Sequence, residues 1–396
     1  MGEAQGSGKH PYLVAADLRT ADIATKCSCP SRKFPCKHAL GLLLLHAAGT
    51  DNWQELAVPE ELNKWLEGRA QKAEGGRQKA EGKEPDPAQQ AKTWAKREKK
   101  MGTGLEALEL WLSDLVREGI LAARKRGYGE WDGQAARMVD AQLPGAARLV
   151  RQIPDLLHQD SGEALTAHLG RLYLLTQVWK NRESLSEGER ADLYAALGLP
   201  LDKAALIPSD QTDWLCVGSV TEEEGRLTVR RTWLLGNGGE VALLLDFAPK
   251  NMSPSAGFQP LHRVGGTLAY AASAFAQRAV LDTPEGDIQP APLPRHLALP
   301  LADLPRYWAE ALAKNPWLER VGVLLGPVYL PPEGWQVCSY DGYAIPLEEG
   351  VRGGYLWYLR AAADTEPAYL FGEWNGQSFY PLCVSPQSQT VHEERP

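Results

Sequence analysis

Residues 27–38 read CSCPSRKFPCKH, which places three of the chain's six cysteines and a histidine within twelve positions. Two tight pairs, Cys27-x-Cys29 and Cys36-x-His38, flank six residues, so one short loop can fold four soft donors onto a single centre. Zinc takes such donors as a closed tetrahedron, with Zn–S near ~2.3 Å and Zn–N near ~2.0–2.1 Å. Pro30 and Pro35 bracket the intervening loop and restrict the conformations it can search. Cys36 and His38 fall where the run CKHALGLLLLHAA should begin a helix, and the positive end of the helix dipole favours thiolate there. All four positions are filled by protein, so the spacing predicts one structural Zn2+ held by Cys27, Cys29, Cys36 and His38. The competing chemistries fit less well. A thioredoxin-like pair needs Cys-x-x-Cys opening a helix in a βαβ unit. A disulfide across two residues would be strained and would leave Cys36 unpaired, and an iron–sulfur cluster generally takes four cysteines. Cys216, Cys338 and Cys383 lie in apolar surroundings and read as buried small hydrophobes.

A chain of 396 residues, 44% hydrophobic and 23% charged, has room for two or three globular domains. The longest apolar run, Ala39 to Ala48, contains His46 and falls short of the ~18–20 residues that cross a bilayer. MGEAQGSGKHPY lacks the basic and apolar regions of a signal peptide, so a cytoplasmic location is expected. The net charge of −8 is unevenly spread: residues 1–100 carry 17 Lys+Arg against 13 Asp+Glu, and the remainder is acidic. A modestly basic head on an acidic body is consistent with an end that faces a polyanion.

Pattern along the chain predicts an α+β, multidomain fold. Residues 1–67 form a small zinc-binding module: a strand over Tyr12–Leu18, a turn at Cys27–Pro30, the helix from Cys36 capped near Gly49, and a second helix with Leu56, Leu62, Trp65 and Leu66 as packing residues. Residues 68–102, charged and poor in apolar groups, read as a flexible or partly helical linker. Residues 103–200 form a helical domain, in which Leu105, Leu108, Leu112, Leu115, Val116 and Leu121 lie close to one face. Pro144-Gly145 divides its helices, and Ser161 caps the helix carrying Leu165, Leu169, Leu172 and Leu175. Ser186 with Glu189 matches a capping box, and Gly198 and Pro200 end the last helix. Residues 201–388 form a β-rich, mainly antiparallel domain with at least one helix. DWLCVGSV, RLTVRRTWLLG and EVALLLDFA make a meander, and GGTLAYAA and RAVLDT are further strands. DLPRYWAEALAKNPW is an amphipathic helix. VGVLLGPVYL, WQVCSYDGYAIPL, GYLWYLRAA, AYLFGEWNG and SFYPLCV close the sheet, and residues 389–396 are a tail.

The pattern CxC–x6–CxH followed by an apolar helix resembles the SWIM zinc finger, and CPSRKFPCKHALGLLLL is similar to bacterial SWIM zinc-finger family proteins. GLEALELWLSDLVREG, AARMVDAQLPG, LGRLYLLTQVW and VRRTWLLG with ALLLDFA extend the likeness over about two-thirds of the chain. The resemblance implies the same four zinc ligands and a non-enzymatic adaptor that binds DNA or protein. It also implies a partner of the AAA+ ATPase or von Willebrand type. Bacterial members usually carry a further segment ahead of QGSGK, so an upstream strand of the finger is expected to be absent here.

Other candidate sites are fewer. QGSGKH fails the P-loop template at Glu3 and His10 and reads as a turn. His46 reads as a core or rim residue. No nucleophile elbow, Ser/His/Asp order or paired-carboxylate signature marks a catalytic residue; an unmarked active site in the β-rich domain is the remaining enzymatic alternative. Lys26, Arg32, Lys33 and Lys37 are interleaved with the ligands, and no acid lies between Thr25 and Leu45. These cations can contact phosphates and Phe34 can stack on a base. In the other reading, Phe34 packs beneath the metal loop and the cations solvate it.

Overall fold

The strand-forming run YLVAAD becomes the centre of a small antiparallel sheet. β2 (Tyr12–Asp17) pairs with β1 (Gly2–Ala4) on one edge and β3 (Ala24–Cys27) on the other, in the registers Glu3–Leu13 and Ala15–Lys26. An upstream strand is therefore present, formed by residues 2–4. Helix α1 (Lys37–Ala47) starts with Cys36 as its N-cap. Val14, Cys36 and Ala39 are buried, with Ala4, Cys27, Cys29 and Leu42 packed around them. Residues 62–66 are helical and bury Leu62.

The structure is a computed structural model. It describes residues 1–5, 11–17, 24–31, 35–48, 58–60, 62–66, 87–158, 162–225, 227–250, 252, 254, 257–282, 289–348, 359–361 and 367–386. The expected turn at QGSGKH, apart from Gln5, lies outside the described residues, as do Gly49, Leu56, Ser161 and the tail 389–396. The chain divides into two units, Met1–Lys92 and Thr93–Pro396. Among the described residues, no helix is long and apolar enough to cross a membrane.

Helix α2 (Pro87–Glu118) begins well before residue 103, where the sequence pattern places the start of the helical domain. Residues 87–102 of the expected linker are thus helix, and residues 68–86 lie outside the described residues. The physical reason is that AKTWAKREKK is charged yet built largely of strong helix formers. Trp94 and Met101 also give it an apolar contact with the bundle. Met101, Leu105, Leu108, Leu112 and Leu115 recur every three or four residues and are buried. Val116 and Leu121, expected on that face, are 65% and 77% exposed. Val116 sits about 100° around the helix from Leu115, and Leu121 follows the break at Gly119, whose φ is +82°.

Helices α3 (Tyr128–Asp140), α4 (Pro144–His158), α5 (Gly162–Lys180) and α6 (Glu187–Ala196) complete the bundle. The expected capping box opens α6: Glu189 N–H donates to Ser186 Oγ while Glu189 Oε2 accepts from Ser186 N–H at 2.8 Å. Gly198 closes α6 at φ +86°. Its N–H donates to Ala195 O and that of Leu199 to Tyr194 O, the paired bonds of a Schellman cap.

Beyond the bundle the side-chain period changes to two. β5 (Asp213–Glu224), β6 (Leu227–Gly236) and β7 (Val241–Pro249) form the meander, and β8 (His262–Gly265) adds to β5. β4 (Ile207–Pro208), β9 (Leu268–Tyr270) and β10 (Ala279–Leu281) make a short sheet. Helix α7 (Leu304–Lys314) is the expected amphipathic helix. It precedes β11 (Val321–Val328), the hairpin β12 (Gln336–Cys338) and β13 (Ala344–Pro346), and the pair β14 (Ala368–Trp374) and β15 (Phe379–Pro386). β11, β14 and β15 form one antiparallel sheet. Its Leu324, Phe371 and Leu382 pack on Leu215, Val217, Trp233 and Leu235 of the meander, giving a two-sheet core. GYLWYLRAA does not form the strand expected of it where it is described: residues 359–361 are helical and Leu359 is buried.

A fully buried carboxylate ties these two sheets together. Glu373 on β14 accepts from Arg231 Nε at 2.8 Å and from Trp233 Nε1 at 2.8 Å, both on β6. Arg320 Nε lies 3.4 Å from Glu373, and the same guanidinium is paired with Glu348. Removing one partner of a buried pair leaves an uncompensated charge, at a cost of about 3–5 kcal/mol. Glu373→Ala is therefore expected to lower the unfolding free energy by that amount, seen as a lower urea midpoint in tryptophan fluorescence. An unchanged midpoint would show that this cluster does not hold the sheets.

Candidate metal centre

Each ligand is placed by a different piece of local structure. Cys27 ends β3, where its Cα is in register with Val14. The chain then turns: Ser28 N–H donates to Leu13 O, and Ser28 Oγ accepts from Leu13 N–H, both at 3.0 Å. This pair of bonds holds the turn that carries Cys29 to the end of β2. Cys36 is the α1 N-cap, with extended backbone at φ −77° and ψ 165°. His38 is in the first turn of the helix, so its ring comes over the same point.

The four donor atoms lie within 4.8 Å of one another, and Cys27 Sγ is 3.8 Å from His38 Nδ1. A zinc tetrahedron with the bond lengths above has ligand–ligand edges of about 3.5–3.8 Å, so the donors need to close only slightly around an ion. Three thiols and one imidazole suit zinc and leave no position for substrate. Cys36 is buried and the other three ligands are half-buried, as befits a metal inside a small fold. The site defines a closed Cys3His zinc centre whose role is structural.

The thiols differ in acidity. Burial pushes the Cys27 thiol up to about 11, with the neighbouring Cys29 and Cys36 adding to the rise. Burial acts in the same direction on Cys36. There the Ala39 amide, the Cys29 and Cys27 thiols and the His38 amide outweigh it and hold Cys36 below the ordinary thiol range. Without metal, then, Cys36 is the easier thiol to ionise, while Cys27 keeps its proton at neutral pH.

Comparison with known proteins agrees with this chemistry. Residues 12–47 match the SWIM zinc finger, and residues 96–197 match the SWIM-associated four-helix bundle domain. The first match spans β2 to the end of α1 and contains all four ligands; the second spans most of α2 through α6. The β-rich region lies outside both. No curated protein and no solved structure matches the chain.

Of the non-ligand residues singled out in the sequence, Lys26 on β3 and Lys37 at the start of α1 are exposed beside ligands Cys27 and Cys36. Arg32, Lys33 and Phe34 lie outside the described residues. His46 is exposed near the far end of α1 and does not join the cluster. Cys216, Cys338 and Cys383 are buried away from it, as expected. Sequence reasoning missed Tyr12, whose ring centroid sits 5.3 Å from that of His38 at 36°. The only sign of it in the sequence is an aromatic opening the strand that leads to the ligands.

The purified protein is expected to hold one zinc per chain by elemental analysis. Cys36→Ser should lose that zinc and become protease-sensitive within residues 1–67, whereas stoichiometric zinc in the variant would overturn the ligand assignment. Affinity should also rise with pH. Below about 11 the Cys27 proton must leave for zinc to bind, so that proton alone makes the affinity increase about tenfold per pH unit. Chelator competition at pH 6.5 and 7.5 measures the slope.

Proposed function

We propose that this chain is a cytoplasmic, non-enzymatic zinc-binding adaptor whose SWIM finger contacts nucleic acid, DNA first. The observation that carries this reading is the pair of exposed cations, Lys26 and Lys37, each adjacent to a zinc ligand on an ordered element. The zinc frame fixes their spacing, so less side-chain and backbone freedom is lost when they meet phosphates. Arg32, Lys33 and Phe34 lie between Cys29 and Cys36 in the sequence and are further contact residues of this reading. The closed donor set and the mutual pairing of the buried charges around Glu373 support a non-catalytic role.

A second reading has its own support. Helix α1 carries Leu40, Leu44 and Leu45 at 47%, 70% and 55% exposure, an apolar surface suited to a protein. In that reading the chain is a scaffold for a protein partner, of the AAA+ ATPase or von Willebrand type that the family resemblance implies, without nucleic acid.

Fluorescence anisotropy with labelled duplex and single-stranded DNA separates the two. The nucleic-acid reading expects affinity that falls with salt, and a shallower salt dependence in the Lys26→Glu/Lys37→Glu and Arg32→Ala/Lys33→Ala variants. The slope should drop by about 0.7–0.9 for each phosphate that the variant no longer neutralises. Salt-independent binding, or none, would leave the scaffold reading.

A further inference from the structure

We propose that the groove between α2 and α3, apolar along its length and cationic at one end, docks an amphipathic helix of a partner protein bearing acidic residues at the matching end. This deepens the adaptor reading by giving the recruited partner a chemistry, and it rests entirely on residues of Thr93–Pro396.

The groove lies beside one close approach of the two helices. A Cβ on Gly104 would sit 2.4 Å from Ala141 Cβ, so glycine alone permits the contact between α2 and the end of α3. Beside that contact is a cleft of about 760 Å³. Met138 and Ala141 line its floor; Ala107, Leu110 and Trp111 line its α2 side. Leu110 is 63% exposed although it sits on a helix whose other apolar stripe is fully packed. Trp111 is half-buried and held edge-on against Trp131 at 5.8 Å and 87°, which makes it a rigid anchor. An apolar cleft of this shape between helices is the form that receives one face of a third helix.

Charge selects which helix. Lys96, Lys99 and Lys100 cluster at one end of the cleft and are exposed. Their side chains make no ion pair or hydrogen bond among the described residues. Elsewhere around α2, Lys180 pairs with Glu109 and Arg182 with Glu98. Arg137 adds a fourth positive charge from α3. The opposite end carries Asp114, which pairs with Arg117 at 3.4 Å, so that pair adds no net charge there. A nucleic-acid backbone, uniformly negative, would run from the lysines onto Leu110 and Trp111, which give a phosphate no partner. A helix acidic at one end and apolar in the middle meets the lysines with its acids and Leu110 and Trp111 with its apolar side chains. Ten residues separate Lys100 from Leu110, about 15 Å along the helix at ~1.5 Å per residue. The partner's acids should therefore lie two to three turns from its apolar anchors.

The test is selection of a phage-displayed library of random 16-residue peptides on the immobilised full-length chain. Enriched peptides should carry clustered Asp or Glu and apolar residues at i, i+3 or i+4, and i+7, and should gain helical circular dichroism on binding. Their affinity should fall at least tenfold for Leu110→Glu and for the triple change Lys96→Glu, Lys99→Glu, Lys100→Glu. All four positions are exposed, and unchanged circular dichroism and zinc content would show that each variant is folded. The proposal is overturned if no peptide is enriched, if enriched peptides lack acids, or if both variants bind them undiminished. It is likewise overturned if the triple variant loses affinity for duplex DNA while Leu110→Glu changes nothing. None of these failures touches the adaptor reading, because DNA binding through the finger is read separately, from the Lys26→Glu/Lys37→Glu variant of the full-length chain.

Discussion

A tetrahedral ion requires four donors within one bond length of a point, and the N-terminal unit is organised around meeting that demand. Among its described residues only Val14, Cys36 and Ala39 form a buried apolar cluster, and one of the three is itself a ligand. So small a core cannot offset the ordering of three strands and a helix. Apparent zinc binding free energies of about 10–16 kcal/mol can. The hydrogen bonds of Ser28 to Leu13 and the extended backbone of Cys36 have their physical reason here. They bring two separately anchored ligand pairs to the same place. The metal then links β3 to α1, and the basic side chains next to the ligands inherit the rigidity of that link.

The remaining chain solves the same problem by ordinary means. The bundle buries a leucine stripe on α2 against Trp131, Met138, Ile153 and Leu172, and the β-rich region packs two antiparallel sheets through Trp233 and Phe371. Among the described residues neither holds a cluster of metal ligands. A zinc-centred module and ordinary apolar cores thus coexist in one chain.

Legibility in the sequence follows from how local each signal is. The ligands can be read because CxC–x6–CxH places all of its chemistry within twelve residues. The capping box at Ser186–Glu189 and the β5–β7 meander can be read for the same reason: four residues or a polar turn are enough. The helical identity of residues 87–102 is hidden because a dense run of charge also marks disordered segments, while Lys, Gln, Ala and Glu are equally good helix formers. Leu121 escapes the pattern because an apolar stripe does not reveal where its helix ends, and Val116 because the position after Leu115 already lies about 100° off the buried face. GYLWYLRAA, rich in aromatics, favours a strand by propensity alone, and tertiary packing decides otherwise at 359–361. The α2–α3 groove has no sequence signal at all, since its walls come from positions on two helices that only packing brings together.

The sequence distance inside the Glu373 cluster carries a consequence for synthesis. Arg231 leaves the ribosome with Glu222, its first partner on β5, already made, but 142 residues ahead of Glu373, its buried partner. At about 5–20 residues per second that interval is roughly 7–28 s. Throughout it the meander can form its own hydrogen bonds, but its central strand carries a guanidinium bound for a buried site. The sandwich therefore closes late, when β14 arrives, and a nascent chain stalled before residue 373 holds the meander without its lid. Such a chain leaves Trp233 without Phe371, the ring that packs against it in the finished sandwich.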